Sequence, residues 1–400
     1  MCAALRRSAL VAGIAISLAA SSAAFAQVAP PRTLEELKAE TQARADRSAY
    51  PLTGLKAEDV RKALANINSL DRDEWADGWG KIAAPYALAG KAAEAVGRTK
   101  EAQENYLMAW RLYSFARWPT TNSPGKERAY ERALDAFQAY ARHLDPPLET
   151  VHIPFEGKEI VGLLRLPKGV RPAPLVLSIS ALDSRKEEHV ERGEAFLQRG
   201  IATFALDMPG TGQAPLLGEP NAERMFSRAL DYLATRPEID GKRVVVQGGS
   251  WSGHWSAKLA IVERARLKAA VVQGAPIHHY FQPDWQTKAL GTREYLFDLF
   301  PARASVYGVA TLADFLAYGP RMSLKEQGLI DRPAAPMLLV NGDRDSQVPI
   351  ADLDLLLHAG SPKEAWVNPG GGHMGRSADW PDGKIFREVV APWIARQLGD

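Results

Sequence analysis

Three residues with the chemistry for acyl transfer stand in the chain order Ser250, Asp345, His373, each just beyond a short apolar run. Ser250 lies in Val244–His254, which reads Val-Val-Val-Gln-Gly-Gly-Ser-Trp-Ser-Gly-His. Three β-branched residues, a Gly-Gly pair, a serine and a helix-compatible segment predict strand, sharp turn and helix, with Ser250 at the apex. A serine held in such a turn has a strained backbone and needs small residues two places before and two after it. Gly248 and Ser252 meet that need. The G-x-S-x-G pattern has glycine where Ser252 stands, and here Gly253 comes one place later. Taking Ser252 as the nucleophile would put His254 at the crowded position, so Ser250 is preferred. Gly-rich turns after strands are also ordinary punctuation, so a serine alone does not establish catalysis.

The other two residues supply what a serine needs. Asp345 follows the Met337–Asn341 run in Asn341-Gly-Asp343-Arg-Asp345-Ser-Gln-Val-Pro349. It is preferred over Asp343 as the carboxylate that orients a histidine, because it sits further into the loop. Either aspartate could instead bond loop amides. His373 ends Asn368-Pro-Gly-Gly-Gly-His, where three glycines leave the backbone free to aim an imidazole over a sheet edge. The order Ser, Asp, His is the one expected of α/β-hydrolases. Asp207-Met-Pro-Gly-Thr-Gly212 has neither phosphate-loop pattern and reads as a tight turn bordering the pocket. His278 and His279 are adjacent, and neighbouring side chains seldom converge on one metal. No H-E-x-x-H spacing occurs, so no metal is expected. Pocket-lining and structural roles are both open for this pair, and no cofactor is required.

These residues need a scaffold. From Thr33 to Leu144 the pattern is helical, opening with the capping box Thr33-Leu-Glu-Glu36. A second opener, Asp71-x-x-Glu74, starts a longer helix that Pro85 should kink or split. The segment from Gly97 through Ala102, Tyr106 and Ala109 looks like one tetratricopeptide unit without a second copy. An aromatic stripe (Trp75, Trp79, Tyr86, Tyr106, Trp110, Tyr113) reads as helix-packing core, or as an apolar wall over a catalytic domain. Asp145-Pro-Pro147 ends the helical part. Beyond it, Val151–Phe155 and Ile160–Leu166 form a hairpin. Short apolar runs at 175–180, 201–206, 244–247, 269–273, 337–341 and 365–368 then alternate with helical stretches. That alternation predicts an α/β fold with a doubly wound, mostly parallel sheet whose ligands sit at the carboxyl ends of the strands.

The expected organisation is a signal peptide over 1–26, a helical domain over 27–147 and a catalytic domain over 148–400. Arg6 and Arg7, the apolar stretch Ala9–Ala20 and Ala24-Phe-Ala26 form the three parts of an export signal. The mature protein is therefore expected to be periplasmic or secreted, by the general or the twin-arginine route. Loss of the leader removes the only cysteine, Cys2, and leaves 47 basic against 47 acidic residues. Such neutrality argues against a nucleic-acid partner, and no later run approaches the roughly 18 apolar residues of a membrane span.

Ser180-Ala-Leu-Asp-Ser-Arg-Lys-Glu-Glu188 resembles the Gly-Leu-Asp-Ser-x-Lys-Glu-Glu marker of one α/β-hydrolase group. That group holds the fermentation-respiration switch (FrsA)-type esterases, 2,6-dihydroxypseudooxynicotine hydrolase and fungal polyketide-shortening hydrolases. Ala181 stands where the family usually has glycine. The resemblance runs from about Trp75 to the C-terminus. It implies an oxyanion hole made of the Trp251 and Leu182 amides, and a cap built from the N-terminal helices plus an insertion at about 275–329. His278, His279, Tyr280, Phe281 and Trp285 of that insertion become the expected substrate-binding residues, and a homodimer is implied by the family's habit. The preferred activity is hydrolysis of a carboxylic ester of a mid-sized apolar or aromatic small molecule. Carbon–carbon cleavage beside a ketone, as in relatives, is the alternative and needs an acid such as Asp284, His278 or His279. A non-catalytic exported binding protein is the remaining reading.

Overall fold

The computed structural model describes residues 31–399; the expected leader lies outside them. The chain begins with five helices, α1 (Leu34–Asp46), α2 (Ala57–Ala65), α3 (Arg72–Ala95), α4 (Thr99–Ala116) and α5 (Pro124–Ala141). The capping box forms: the Glu36 amide donates to Thr33 Oγ1 at 3.2 Å, and the Thr33 amide donates to Glu36 Oε2 at 3.0 Å. The Asp71 carboxylate takes the Asp73 and Glu74 amides at the start of α3. Pro85 does not split α3, which runs unbroken for 24 residues. Proline removes one helical hydrogen bond, but Pro85 faces solvent, where water can take the freed carbonyl. Meanwhile α3 is pinned to α4 at Gly90, where a Cβ would meet the Tyr106 ring at 2.7 Å.

A single eight-stranded sheet follows. Its strands are β1 (Leu148–Phe155), β2 (Lys158–Arg165), β3 (Ala173–Ile179), β4 (Ala202–Leu206), β5 (Ile239–Gly249), β6 (Ala269–Gln273), β7 (Met337–Gly342) and β8 (Glu364–Asn368). They lie in the order β1-β2-β4-β3-β5-β6-β7-β8. Glu156 and Gly157, both at positive φ, turn the β1–β2 hairpin as a tight two-residue loop demands. β2 pairs antiparallel with β4, and every later pairing is parallel. β3, β4 and β6 are buried along their whole length, as expected of strands covered on both faces. The covering helices are α6 (Glu188–Leu197), α7 (Arg224–Ala234), α8 (Trp251–Val262), α12 (Ile350–His358), α13 (Asp382–Ile385) and α14 (Ala391–Leu398). Between β6 and β7 the chain inserts α9 (Pro283–Leu290), α10 (Leu299–Tyr307) and α11 (Leu312–Tyr318). The chain leaves β3 for β4 on one side and returns to β5 on the other, so the switch point lies between β3 and β5. In open α/β sheets, ligands bind at the carboxyl ends beside that point.

Asp298 locks the insertion to the N-terminal helices. Its carboxylate receives Arg72 Nε at 2.8 Å, Asn122 Nδ2 at 3.1 Å and Lys126 Nζ at 3.4 Å. Lys126 is fully buried, and burial pulls its amine down to about 8 despite the Asp298 charge. Removing one partner of a buried ion pair strands the other charge, which costs about 3 kcal/mol. Asp298→Ala is therefore expected to lower the unfolding free energy, read from urea denaturation, by that amount. Asp298→Asn should lose less, because it keeps an acceptor and tolerates the left-handed backbone found there (φ 55°).

Candidate active site

β5 ends in Gly249, and Ser250 follows at φ 56° and ψ −131°, immediately before α8. Two glycines make the turn possible. A Cβ at Gly248 would lie 2.2 Å from the Ser252 carbonyl oxygen, and one at Gly253 would lie 2.7 Å from Ala275 Cβ. The serine standing where the motif has glycine is accommodated by its own hydroxyl. Ser252 Oγ donates to the Gly249 carbonyl at 2.9 Å and accepts the Gly249 amide at 3.0 Å. The close approach to the next strand has moved one residue on, to Gly253.

The structure brings Ser250, His373 and Asp345 into one hydrogen-bonded chain. Ser250 Oγ donates to His373 Nε2 at 2.8 Å, and His373 Nδ1 donates to Asp345 Oδ2 at 2.7 Å. The other Asp345 oxygen takes the Gln347 and Val348 amides at 2.8 and 3.0 Å. Burial alone would raise the Asp345 carboxyl, but His373 and these amides hold it below the usual carboxylate range. Asp343 is instead a loop tie, accepting the Gly370 amide at 2.7 Å. Two strand-end amides that the sequence reading passed over hold the loops together. Asn341 donates to Asp345 Oδ2 at 3.0 Å and accepts the Met374 amide at 3.0 Å. Gln273 donates to the Met374 carbonyl at 2.9 Å, while its own carbonyl takes the Ser250 amide at 2.7 Å. Their only signal in the sequence is a polar residue immediately before a glycine at the end of an apolar run.

The loop after β3 faces this chain. Ser184 Oγ accepts the Ala181 amide at 2.8 Å. The amides of Leu182 and Trp251 have no protein acceptor among the described residues, so both can donate to a ligand oxygen. The loop is anchored below by the Asp207 carboxylate, which accepts from Ser180 Oγ, the Lys186 amide, Lys186 Nζ and the Gln213 amide at 2.9–3.1 Å. Burial opposes the Asp207 charge, yet Lys186 holds its carboxyl down to about 2. The Asp207–Gly212 turn is thus a support beneath the loop and does not line the cavity. Above, Trp118 Nε1 donates to Asp183 Oδ2 at 3.1 Å. The Tyr50 and Tyr295 phenols lie close to Asp183; burial first, then the Asp183 charge, pushes both well up.

Ser250 and His373 open into a cavity of about 740 Å³. Its aromatic wall is Tyr50, Trp110, Phe115, Trp118, Tyr295 and Phe386, four of them from the N-terminal helical segment. Trp75 and Trp79 of the aromatic stripe are instead packed against Phe115 in the helical core. The five residues expected to bind substrate, His278, His279, Tyr280, Phe281 and Trp285, are not part of the wall. Asp352 explains their placement: its carboxylate receives the amides of residues 277, 278, 279 and 280 at 2.6–3.1 Å, folding that segment down behind the elbow. Tyr280 Oη accepts from Trp251 Nε1 at 3.2 Å, Phe281 packs edge-on to Trp251, His278 bonds Ser323, and Trp285 Nε1 donates to the Gln347 carbonyl. They support α8 and the Asp345 loop from the rear. Asp284 is likewise absent from the wall, and no group of three or more His, Cys, Asp or Glu able to hold a metal occurs among the described residues.

Gly248 gives a direct test of the turn. Gly248→Ala forces a Cβ into the Ser252 carbonyl, a fixed backbone atom, so a loss of about 1–3 kcal/mol is expected. A urea midpoint unchanged from wild type would contradict this account.

Comparison with known proteins agrees with the architecture. A family model described as FrsA-like esterase matches residues 64–364. The chain is 30% identical over 233 residues to Esterase FrsA of Enterobacter sp. (strain 638), covering 57% of this chain and 56% of that protein. It is 28% identical over 305 residues to Esterase FrsA of Escherichia coli O157:H7, covering 74% and 70% respectively. The matched stretch thus spans little more than half of the first of these relatives. Among solved structures, 2,6-dihydroxy-pseudo-oxynicotine hydrolase superposes with a TM-score of 0.72 at 22% identity, over 86% of this chain and 94% of that one. Wild-type AbyA5 does so with a TM-score of 0.70 at 22% identity, over 90% and 94%. Both share the α/β-hydrolase fold seen here. Because the family match runs from α2 to the start of β8 and takes in both the elbow and the Asp345 loop, the chain belongs to the FrsA-like esterase family.

Proposed function

We propose that this protein is a serine hydrolase of carboxylic esters, working through a Ser250–His373–Asp345 triad and an acyl-enzyme. The observation that carries the reading is the unbroken bond path from Ser250 Oγ to the Asp345 carboxylate, opening into the aromatic-walled cavity. His373 takes the Ser250 proton as Oγ attacks the ester carbonyl. Asp345, kept ionised, holds the imidazole in the tautomer that leaves Nε2 as acceptor and stabilises the cation that forms. The Leu182 and Trp251 amides receive the developing oxyanion. His373 returns the proton to the departing alkoxide, and water repeats the cycle on the acyl-enzyme. A cavity of about 740 Å³ walled by aromatic rings suits a mid-sized apolar or aromatic ester.

One observation favours keeping carbon–carbon hydrolysis beside a ketone as a second reading. That reaction must protonate a carbanion. Glu188 lines the cavity, and loss of solvent beneath the helices pushes its carboxyl up to about 7 against the pull of Arg117. A panel of p-nitrophenyl esters and β-diketones separates the two. Rapid diketone cleavage with negligible ester turnover would reverse the preference.

Ser250→Ala is expected to abolish fluorophosphonate labelling and lower kcat by about 10⁶, leaving only binding and oxyanion effects. Asp345→Asn should lower kcat by about 10⁴ through the wrong imidazole tautomer. Equal labelling of wild type and Ser250→Ala would sink the triad, and no label on either would favour a binding protein. Export belongs to the same proposal: the mature protein recovered from the periplasm or medium should begin at Gln27 on N-terminal sequencing.

A further inference from the structure

The cavity wall holds as many carboxylates as arginines, yet one arginine beside the catalytic histidine is left without an ion-pair partner. Six arginines contribute to its wall, and four are matched by carboxylates. Arg44 pairs with Glu40 at 2.7 Å, Arg111 with Glu191 at 2.8 Å, Arg117 with Glu188 at 3.3 Å, and Arg192 with Asp382. Arg47 and Arg376 have no carboxylate within ion-pair distance among the described residues. Arg47 sits on the exposed end of α1, where a solvated guanidinium needs no explanation. Arg376 is different. It is half-buried, three residues after His373, and anchored on two sides. Its Nε donates to the His373 carbonyl at 2.9 Å, and its guanidinium lies 5.6 Å from the Tyr50 ring centroid. Asp382 feels the Arg376 charge but is bonded to Arg192.

An arginine held by Nε and by one face has its two terminal amino groups left as a fork. Neither has a protein acceptor among the described residues, and the side chain lines the cavity that holds Ser250. A planar, permanently charged fork of this kind matches a carboxylate bidentately. Being pre-oriented, it loses little side-chain freedom when the ligand arrives. The aromatic wall covers the apolar part of such a ligand.

We propose that Arg376 is a carboxylate-recognition residue, and that the substrates are esters bearing a free carboxylate, such as hemiesters of dicarboxylic acids. The proposal rests on the ester-hydrolase reading for what happens at Ser250, but the binding it describes does not need turnover. Monophenyl glutarate and phenyl valerate, which differ in one end group, are titrated calorimetrically into Ser250→Ala protein. The hemiester is expected to bind about ten-fold tighter, the yield of one charge-assisted pair. Arg376→Gln in the same background should abolish the difference, and Arg376→Lys should restore part of it, since a point charge lacks the fork. Thermal melts confirm that each variant is folded. Equal affinity for the two esters, or a preference that survives Arg376→Gln, would overturn the assignment. In parallel, wild type is assayed on the matching p-nitrophenyl esters. Turnover of both with no preference, alongside equal binding, defeats the carboxylate site and leaves the hydrolase reading standing. Arg376-dependent binding without turnover of either ester does the reverse.

Discussion

The structure depends on holding Ser250 in a backbone conformation that serine avoids. A residue at φ 56° and ψ −131° costs on the order of 1–3 kcal/mol and persists only where its surroundings over-determine it. Three ties do so here. The Ser250 amide is bonded to Gln273 at the end of the neighbouring strand, the Ser252 hydroxyl closes the turn on Gly249, and Gly253 lets α8 press against Ala275. The histidine loop then seats on the same glycines: Met374, itself at φ 64°, lies over Gly274 and reaches Gly249 with its side chain. The elbow and the histidine loop therefore stabilise each other's strain. Neither loop would hold its shape on an isolated βα unit.

Around this centre, loops are fixed by short carboxylates that collect backbone amides. Asp207, Asp345 and Asp352 each do this at a different strand end or helix start. The device suits a site that must stay dry. A buried carboxylate is costly unless its lone pairs are filled, so each one imposes a single arrangement on the amides that fill it. Asp207 also carries Lys186 as counter-charge, with both side chains almost wholly removed from water. Breaking that pair would leave a buried charge directly beneath the Leu182 amide.

Much of this was legible because local signals and tertiary demands coincide. Apolar runs ending in polar residues marked the strands, and the order Ser250, Asp345, His373 placed three side chains at the carboxyl ends of three of them. The aromatic wall was not legible. Tyr50 lies between two helices with no periodic pattern around it, and Tyr295 follows a charged stretch; only tertiary packing brings both to Asp183. The density of aromatics at 280–285 pointed to substrate, but aromatic side chains serve a core as readily as a pocket. Four amides on Asp352 decided the matter by folding that segment behind the elbow. Pro85 leaves its helix unsplit for a related reason: a proline inside a helix costs less continuity where the freed carbonyl can reach water.

The placement of Asp183 gives the helical segment more than a covering role. Its carboxylate accepts from Trp118 Nε1, with the Tyr50 and Tyr295 phenols close by, while Arg117 donates to its backbone carbonyl at 2.5 Å. The next residue back is Leu182, whose amide is offered to the cavity. A shift of the helices against the sheet must therefore move either Asp183 or its donors. Moving the donors leaves a largely buried carboxylate unsatisfied, whereas moving Asp183 displaces the Leu182 amide. In the proposed reaction that amide has to meet an oxyanion at hydrogen-bond distance, where errors of about 1 Å cost two orders of magnitude in rate. The helices and the loop after β3 are thus tied so that neither can shift without the other. Selectivity can then be built into the helical wall without loosening the chemistry beneath it.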